Sequence, residues 1–168
     1  MGLSVYLDTN IFVHAFEETP DRDPAIASLL VRLISGDCTE PKPLLLTSEL
    51  TFGELWTGAY RDDNLELIGL YDSFLSNQQL IMTAPVSIEI IRSAAILRGN
   101  KPSLKTPDAL HIATAALLEC TYFLTSDRRI GQAGQNLMAL KSTQSIPLTL
   151  IRPDLETLNK LVNGELNT

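Results

Sequence analysis

Near the start of the chain, residues Leu3–Phe16 read LSVYLDTNIFVHAF. A short apolar run stops on an acidic residue, Asp8, and apolar residues resume after Asn10. The run is long enough for one buried strand, and a helix is predicted after it, near residues 9–17. A carboxylate between two buried elements is costly unless it is paired, so Asp8 is the first candidate functional residue.

Length and composition are those of an ordinary globular chain. The 168 residues are 45% hydrophobic and 20% charged, which predicts a single domain, residues 1–168, with its own core. No apolar run reaches the roughly 18 residues that cross a bilayer, and the N-terminus lacks the basic segment of a signal peptide. We therefore expect a cytoplasmic protein with no membrane association. Cys38 and Cys120 fit no zinc spacing, and a structural zinc site is not expected.

Predicted strands and helices alternate along the chain. Continuous apolar runs predict buried strands near residues 3–7, 42–48, 79–84, 121–127 and 146–151, with a polar or helical link before the last. Capping residues and apolar spacing predict helices near 9–17, 24–35, 48–61, 64–75, 87–99, 105–120 and 153–163. Because the strands are continuously apolar, the predicted fold class is α/β. We expect a sheet of about five parallel strands with helices on both faces.

Acidic side chains follow two of these strands. Asp8 comes directly after the first strand, and Asp127 ends the fourth. In open parallel sheets, ligands bind beyond the carboxyl ends of the strands, so both acids should lie at that edge. Asp108 lies in the first turn of a helix that Thr106, as the cap, and Pro107 open. Taken alone, Asp108 is explained equally well as a plain first-turn acid that stabilises the helix dipole.

Glu54 is the fourth candidate acid, and it lies in the helix predicted over residues 48–61. It is flanked by Phe52 and Leu55, and a glutamate is seldom buried without a partner. The alternative is a solvent-facing residue on an amphipathic helix. Glu49 competes for the same role, but residues five apart differ by about 140° around a helix, so only one of the two should face a site.

Together the four acids form a candidate metal cluster. Converging carboxylates repel one another, and a hard divalent cation resolves that repulsion. Oxygen ligands suit Mg²⁺ or Mn²⁺, which can activate a water and neutralise charge on a phosphate. Neutral oxygens for the same site are expected from Thr9, Asn10 and Ser126. The sequence contains no GxxxxGKS, GxxxxGKT or GxGxxG motif, so a P-loop or a dinucleotide site is not supported.

Four segments carry a resemblance to a known family. They are VYLDTNIFV (5–13), TSELTFGELW (47–56), TPDALHIATAA (106–116) and FLTSDRRI (123–130). In this order they resemble the motifs of the PIN domain, in particular the VapC-like toxins, over nearly the whole chain. The resemblance implies a nuclease fold with a parallel sheet flanked by helices.

The resemblance also implies roles for the four acids. Asp8, Glu54, Asp108 and Asp127 would be the catalytic residues and metal ligands, with Thr51 three residues before Glu54 as in the family pattern. The implied activity is Mg²⁺- or Mn²⁺-dependent endoribonuclease, in which a metal-activated water leaves a 5′-phosphate and a 3′-hydroxyl. A small antitoxin protein and a homodimer are the implied partners. A housekeeping RNA-processing nuclease and an inactive scaffold that binds proteins remain alternatives.

Basic residues beside these acids are candidates for phosphate binding. The net charge of −7 argues against a broadly basic nucleic-acid binder, so phosphate contacts would be local. The candidates are Lys101, Lys105, Arg128 and Arg129. Solvated surface charge is the alternative for all four. His111 is expected to pack at the rim and bond to backbone rather than act as a base or ligand, and His14 to lie at the surface or against a partner.

Overall fold

The computed structural model describes residues 2–130 and 148–166. Its strands are β1 Ser4–Leu7, β2 Leu44–Ser48, β3 Met82–Ala84, β4 Tyr122–Leu124 and β5 Thr149–Ile151. Its helices are α1 Thr9–Phe16, α2 Pro24–Ile34, α3 Glu49–Arg61, α4 Leu65–Ser76, α5 Ile88–Asn100, α6 Thr106–Leu117 and α7 Leu155–Val162. The described strands form one sheet in the order β3–β2–β1–β4–β5.

Every strand pair in this sheet is parallel. Val5 of the central strand β1 lies opposite Leu45 of β2 and Tyr122 of β4, and the outer pairs run the same way. The predicted α/β class with a five-stranded parallel sheet is therefore confirmed. β3, β4 and β5 are shorter than predicted, and residues 146–147 of the predicted last strand lie outside the described residues, as does the link before it.

Side chains of β1 alternate between two cores, as pleating requires. Val5 and Leu7 pack with residues of α1, α2, α3, α4 and α7. Tyr6 points to the other face and packs with residues of α5 and α6. Helices therefore cover both faces, as predicted, and α3 and α6 lie on opposite sides of the sheet. Glu54 of α3 and Asp108 of α6 consequently approach the sheet from different faces.

The start of α6 corrects one expectation. Thr106 is the first helical residue rather than the cap, and Lys105 occupies the N-cap position without a side-chain hydrogen bond. Pro107 fits either the first or the second helical position because the N–H that it lacks has no partner within the helix at either one. A proline signal therefore cannot fix this boundary to the residue. Asp108 still lies in the first turn of α6.

None of the helices in the described part of the chain is both long and apolar enough to span a lipid bilayer. The C-terminal helix predicted near 153–163 is present as α7, and it buries Leu158, Leu161 and Val162. Its apolar side joins the core on the α1 face of the sheet. The end of the described chain is thus packed onto the fold rather than extended from it.

Candidate active site

Asp8 lies directly after β1 and is only 5% exposed. Its Oδ1 accepts a hydrogen bond from the backbone N–H of Thr9 at 2.8 Å, which caps α1. Its Oδ2 accepts one from Thr125 Oγ1 at 2.6 Å and one from Asn10 Nδ2 at 2.5 Å. The buried charge that the sequence left unexplained is therefore stabilised by three hydrogen bonds and by the N-terminus of a helix.

Asn10 ties this junction to the segment after β4. Its Oδ1 accepts a hydrogen bond from the backbone N–H of Ser126 at 2.9 Å, and its Nδ2 lies 3.1 Å from Thr125 Oγ1. The hydroxyl of Ser126 lies 3.0 Å from Nε2 of His14. His14 is half-buried, so in addition to the surface position expected from the sequence it contacts the site.

Two residues that hold the acids in place were not singled out from the sequence. Thr125 is fully buried, and besides donating to Asp8 its hydroxyl accepts a hydrogen bond from the backbone N–H of Asp127 at 3.0 Å. Arg152, just after β5, donates to the carbonyl oxygens of Thr125 and Asp127 at 2.9 and 2.8 Å. Thr125 could have been found from the sequence, because its hydroxyl comes directly after β4, the strand that pairs with β1. Nothing in the sequence marked Arg152.

Glu54 reaches the site from α3 and is held by His111 of α6. His111 Nε2 lies 2.9 Å from Glu54 Oε2, and the hydroxyl of Thr9 donates to the same oxygen. Burial opposes ionisation of Glu54, but these hydrogen bonds outweigh it and hold the pKa of Glu54 below its ordinary value. Glu49 is exposed, so of these two glutamates Glu54 is the one that faces the site.

Tyr6 of β1 fixes the orientation of His111 from the other side. The Tyr6 hydroxyl lies 2.8 Å from His111 Nδ1, and both side chains are buried. Burial raises the pKa of Tyr6 well above its ordinary value, so the phenol stays protonated and can donate to Nδ1. When Nδ1 accepts from the Tyr6 hydroxyl, Nε2 is the ring nitrogen that faces Glu54 as a donor.

The expectation for His111 is therefore wrong. It is 2% exposed and bonds to two side chains, Tyr6 and Glu54, instead of packing at the rim and bonding to backbone. The physical reason is that α6 packs over β1. His111, one turn after Asp108, therefore contacts Tyr6 of that strand.

Asp108 and Asp127 complete the acidic edge. Burial raises the pKa of Asp108, and the charges of Asp127 and Asp8 raise it further, so these carboxylates lie close enough to repel one another. Asp127 lies three residues past the end of β4 rather than within the strand. Its Oδ2 is 2.5 Å from Arg129 Nη2, and this hydrogen bonding holds the pKa of Asp127 below its ordinary value.

A model of the PIN domain family matches residues 5–136. This chain belongs to the PIN domain family. Among curated proteins, none matches its sequence. The family resemblance noted from the four motifs is thereby confirmed over most of the chain.

Solved structures of similar fold include a toxin–antitoxin complex and VapBC and VapC proteins. A toxin–antitoxin complex from Klebsiella pneumoniae is 20% identical over 90% of this chain and 98% of its own, with a TM-score of 0.58. VapBC-1 from nontypeable Haemophilus influenzae is 17% identical over 90% and 98%, with a TM-score of 0.59. Mycobacterium tuberculosis VapC20, described as a sarcin–ricin loop cleaving toxin, is 17% identical over 86% and 100%, with a TM-score of 0.57. At such identities the similarity shows a shared fold.

The donor chemistry of this PIN domain fits a divalent cation. Within residues 2–130 and 148–166, no three Asp, Glu, His or Cys side chains are already arranged around one ion position. Asp127 is turned toward Arg129, and Glu54 toward His111. The available donors are nonetheless carboxylate oxygens, which Mg²⁺ and Mn²⁺ prefer. The pKa of Asp108 is raised first by burial and then by the negative charges of Asp127 and Asp8, and a cation would relieve that part of the shift which the two charges cause.

The four predicted basic residues fall into two groups, according to whether or not they line a cavity beside Asp108. Lys101, Lys105 and Arg129 line a cavity together with Asp108. Arg128 is exposed and does not line that cavity. Of the four sequence-based candidates, three are therefore brought to the acidic edge.

Proposed function

We propose that this PIN domain is a metal-dependent endoribonuclease and the toxin of a toxin–antitoxin pair. The observation that carries the proposal is the proximity of Asp108 to Asp127 and Asp8: burial raises the pKa of Asp108, and the charges of these two carboxylates raise it further. Such crowding costs stability in a metal-free protein, so it favours a role in holding a cation over a purely structural role. The fold similarity to VapC proteins supports the same conclusion.

In this proposal Asp8, Asp108 and Asp127 hold the cation, and Glu54 acts beside them. A bound Mg²⁺ or Mn²⁺ would lower the pKa of a water molecule and neutralise charge on the scissile phosphate. Both hydrogen bonds to Glu54 reach Oε2, so Oε1 is available to the cation or to water. Because its pKa is lowered, Glu54 remains ionised at neutral pH, and its carboxylate can accept a hydrogen bond from a water molecule and orient it.

The neutral side chains at the site position the acids. Thr9 donates to Glu54, Asn10 donates to Asp8, and Ser126 is fixed through its backbone N–H. The Ser126 hydroxyl, which contacts His14, is the group of these three best suited to meet a water or a phosphate oxygen. A preorganised arrangement of this kind avoids reorganisation during the reaction.

RNA is the proposed substrate, a small antitoxin protein is the proposed partner, and a homodimer in the cytoplasm is the proposed functional form. Support for the antitoxin comes from the similar structure from Klebsiella pneumoniae, which is described as a toxin–antitoxin complex. Expression of the chain alone should arrest growth, and co-expression with the product of a neighbouring short reading frame should restore it. Growth arrest by an Asp108→Asn variant would contradict RNA cleavage as the cause.

Cleavage of RNA should depend on divalent metal. We expect incubation of total cellular RNA with Mg²⁺ or Mn²⁺ to yield fragments with 5′-phosphate and 3′-hydroxyl ends, read by selective ligation. Chelation with EDTA should lower the rate by about 1,000-fold or more, because the metal stabilises several kcal/mol of charge in the transition state. Equal cleavage in EDTA, or no cleavage of any RNA with either ion, would contradict the proposal.

Tyr6→Phe tests whether His111 must be oriented for Glu54 to function. The change leaves a buried His111 nitrogen without its donor, which should cost about 1–3 kcal/mol in the free energy of unfolding. The rate of RNA cleavage should fall about 10- to 100-fold, as for other groups that orient the residues of a metal site. Tyr60→Phe is the matched control because Tyr60 is 65% exposed. Equal activity in the two variants would show that this orientation does not matter.

A further inference from the structure

We propose that the cavity beside Asp108 is a phosphate subsite for single-stranded RNA, next to the scissile bond. The inference rests on the proposed function for its substrate but concerns binding alone. The cavity has a volume of about 340 Å³, and its lining consists of Lys101, Ser103, Leu104, Lys105, Asp108 and Arg129. That volume is at the lower end of the range in which proteins bind small ligands, so it suits one nucleotide unit rather than a duplex.

The two lysines of the cavity carry uncompensated positive charge. Neither Lys101 nor Lys105 makes an ion pair or a side-chain hydrogen bond with any residue that the structure describes. Arg129, in contrast, forms an ion pair with Asp127. In a chain with a net charge of −7, two unpaired lysines at the edge of an acidic site are the natural contacts for an anion.

The backbone that carries these lysines is ordered without a ligand. The N–H of Leu104 donates to the carbonyl of Lys101 at 3.0 Å, and the N–H of Lys101 donates to the carbonyl of Leu97 at 2.9 Å. Arg98 Nε donates to the carbonyl of Leu104 at 3.0 Å, and Leu104 itself is 5% exposed. The turn between α5 and α6 is thus ordered before RNA binds. RNA binding therefore carries no entropic cost for ordering this turn.

The cavity lies beside the acid cluster, so its expected ligand is a phosphate of the RNA substrate rather than an isolated anion. Asp108 belongs both to the cavity lining and to the acid cluster, so a phosphate held by Lys101 and Lys105 would lie close to the proposed cation. A neighbouring phosphate of the same strand satisfies this geometry. Its attraction to the lysines would also offset the repulsion that Asp108 and Asp127 exert on an RNA backbone.

The test is the salt dependence of metal-free RNA binding. A fluorescent single-stranded RNA is titrated in EDTA from about 50 to 200 mM KCl, where each phosphate contact contributes about 0.7 to the slope of log K against log salt. Lys101→Gln/Lys105→Gln should lower the slope by about 1.4, and Lys101→Arg/Lys105→Arg should restore it. Inorganic phosphate is titrated in parallel, and it should compete only weakly because it lacks the rest of the strand.

Lys42→Gln/Lys160→Gln is the control because it makes the same change in net charge at the opposite edge of the fold. Lys42 precedes β2, and Lys160 lies on α7, whose last residue, Val162, accepts a hydrogen bond from Thr39. Equal slopes in the two double glutamine variants, or no metal-free RNA binding by the wild type, overturn the subsite.

The outcome for the subsite is separable from that for the nuclease. Metal-dependent cleavage with equal slopes rejects the subsite and keeps the enzyme. A slope difference without metal-dependent cleavage rejects the enzyme and keeps the subsite. Inorganic phosphate that competes as strongly as RNA also overturns the subsite, since it would identify a site for free phosphate.

Discussion

Asp108→Asn is expected to abolish RNA cleavage while making the metal-free protein more resistant to heat. The loss of activity should be about 100- to 1,000-fold or greater, because one ligand of a catalytic cation supplies several kcal/mol of transition-state stabilisation. The gain in stability has a separate cause. Burial, Asp127 and Asp8 all disfavour the ionised form of Asp108, and an amide of the same shape removes that charge.

The gain in stability should depend on pH in a defined direction. The pKa of Asp108 is raised in the folded state, so between its unfolded and folded pKa values the folded protein binds more protons than the unfolded chain. The wild type therefore loses stability as pH rises through that window. The advantage of Asp108→Asn in melting temperature should be larger at about pH 7 than at about pH 4, near the pKa of an unperturbed aspartate.

Thermal unfolding in EDTA at the two pH values measures this effect. Asp21→Asn is the control because Asp21 is exposed and lies outside the acid cluster, and its melting temperature should stay near that of the wild type at both pH values. A melting temperature of Asp108→Asn below that of the wild type at neutral pH would contradict the proposed repulsion.

Asp8→Asn should also abolish cleavage, but it should destabilise the fold. Oδ2 of Asp8 accepts hydrogen bonds from Thr125 and from the amide nitrogen of Asn10. Asn10 cannot simply turn its amide around, because its Oδ1 already accepts a bond from the backbone of Ser126. In either orientation the new amide nitrogen would face a donor, the amide nitrogen of Asn10 or the backbone N–H of Thr9, at a cost of about 1–3 kcal/mol.

For a chain of this length, that cost corresponds to a fall in melting temperature of roughly 3–10 °C. The measurement is thermal unfolding in EDTA with circular dichroism, run beside Asp108→Asn. The two variants make the same chemical change at carboxylates of one cluster, yet they should shift stability in opposite directions. If both variants are stabilised equally, net charge alone governs the site, and the hydrogen-bonding role of Asp8 is wrong.

Much of the fold follows from the sequence because its strands are continuously apolar. Such strands must be covered on both faces, which predicts a parallel sheet, and the carboxyl edge of that sheet then brings Asp8 near Asp127. The pairing of the first and fourth strands is observed. The lengths of β3, β4 and β5 were overestimated. Apolar residues at strand ends also serve the core outside the sheet, and the polar residues after Leu124 belong to the site rather than to β4.

Side-chain partners at the site could not be read from the sequence. Glu54 and His111 meet because α3 and α6 lie on opposite faces of the sheet and converge at its edge, which is a tertiary property. Arg129 is two residues from Asp127, but whether it binds that carboxylate or extends toward RNA depends on rotamer choice. The position of Arg152 depends on β5, a strand distant in sequence from both carbonyls that it binds.

Asp8, Asp108 and Asp127 are proposed to hold one divalent cation. Titration calorimetry with Mn²⁺ on the wild type and on Asp108→Asn tests this claim without requiring knowledge of the RNA target. The expected result is a saturable binding heat in the wild type that is lost in Asp108→Asn, although that variant is folded and at least as stable. No binding by the wild type, or the same binding by both proteins, would contradict the claim.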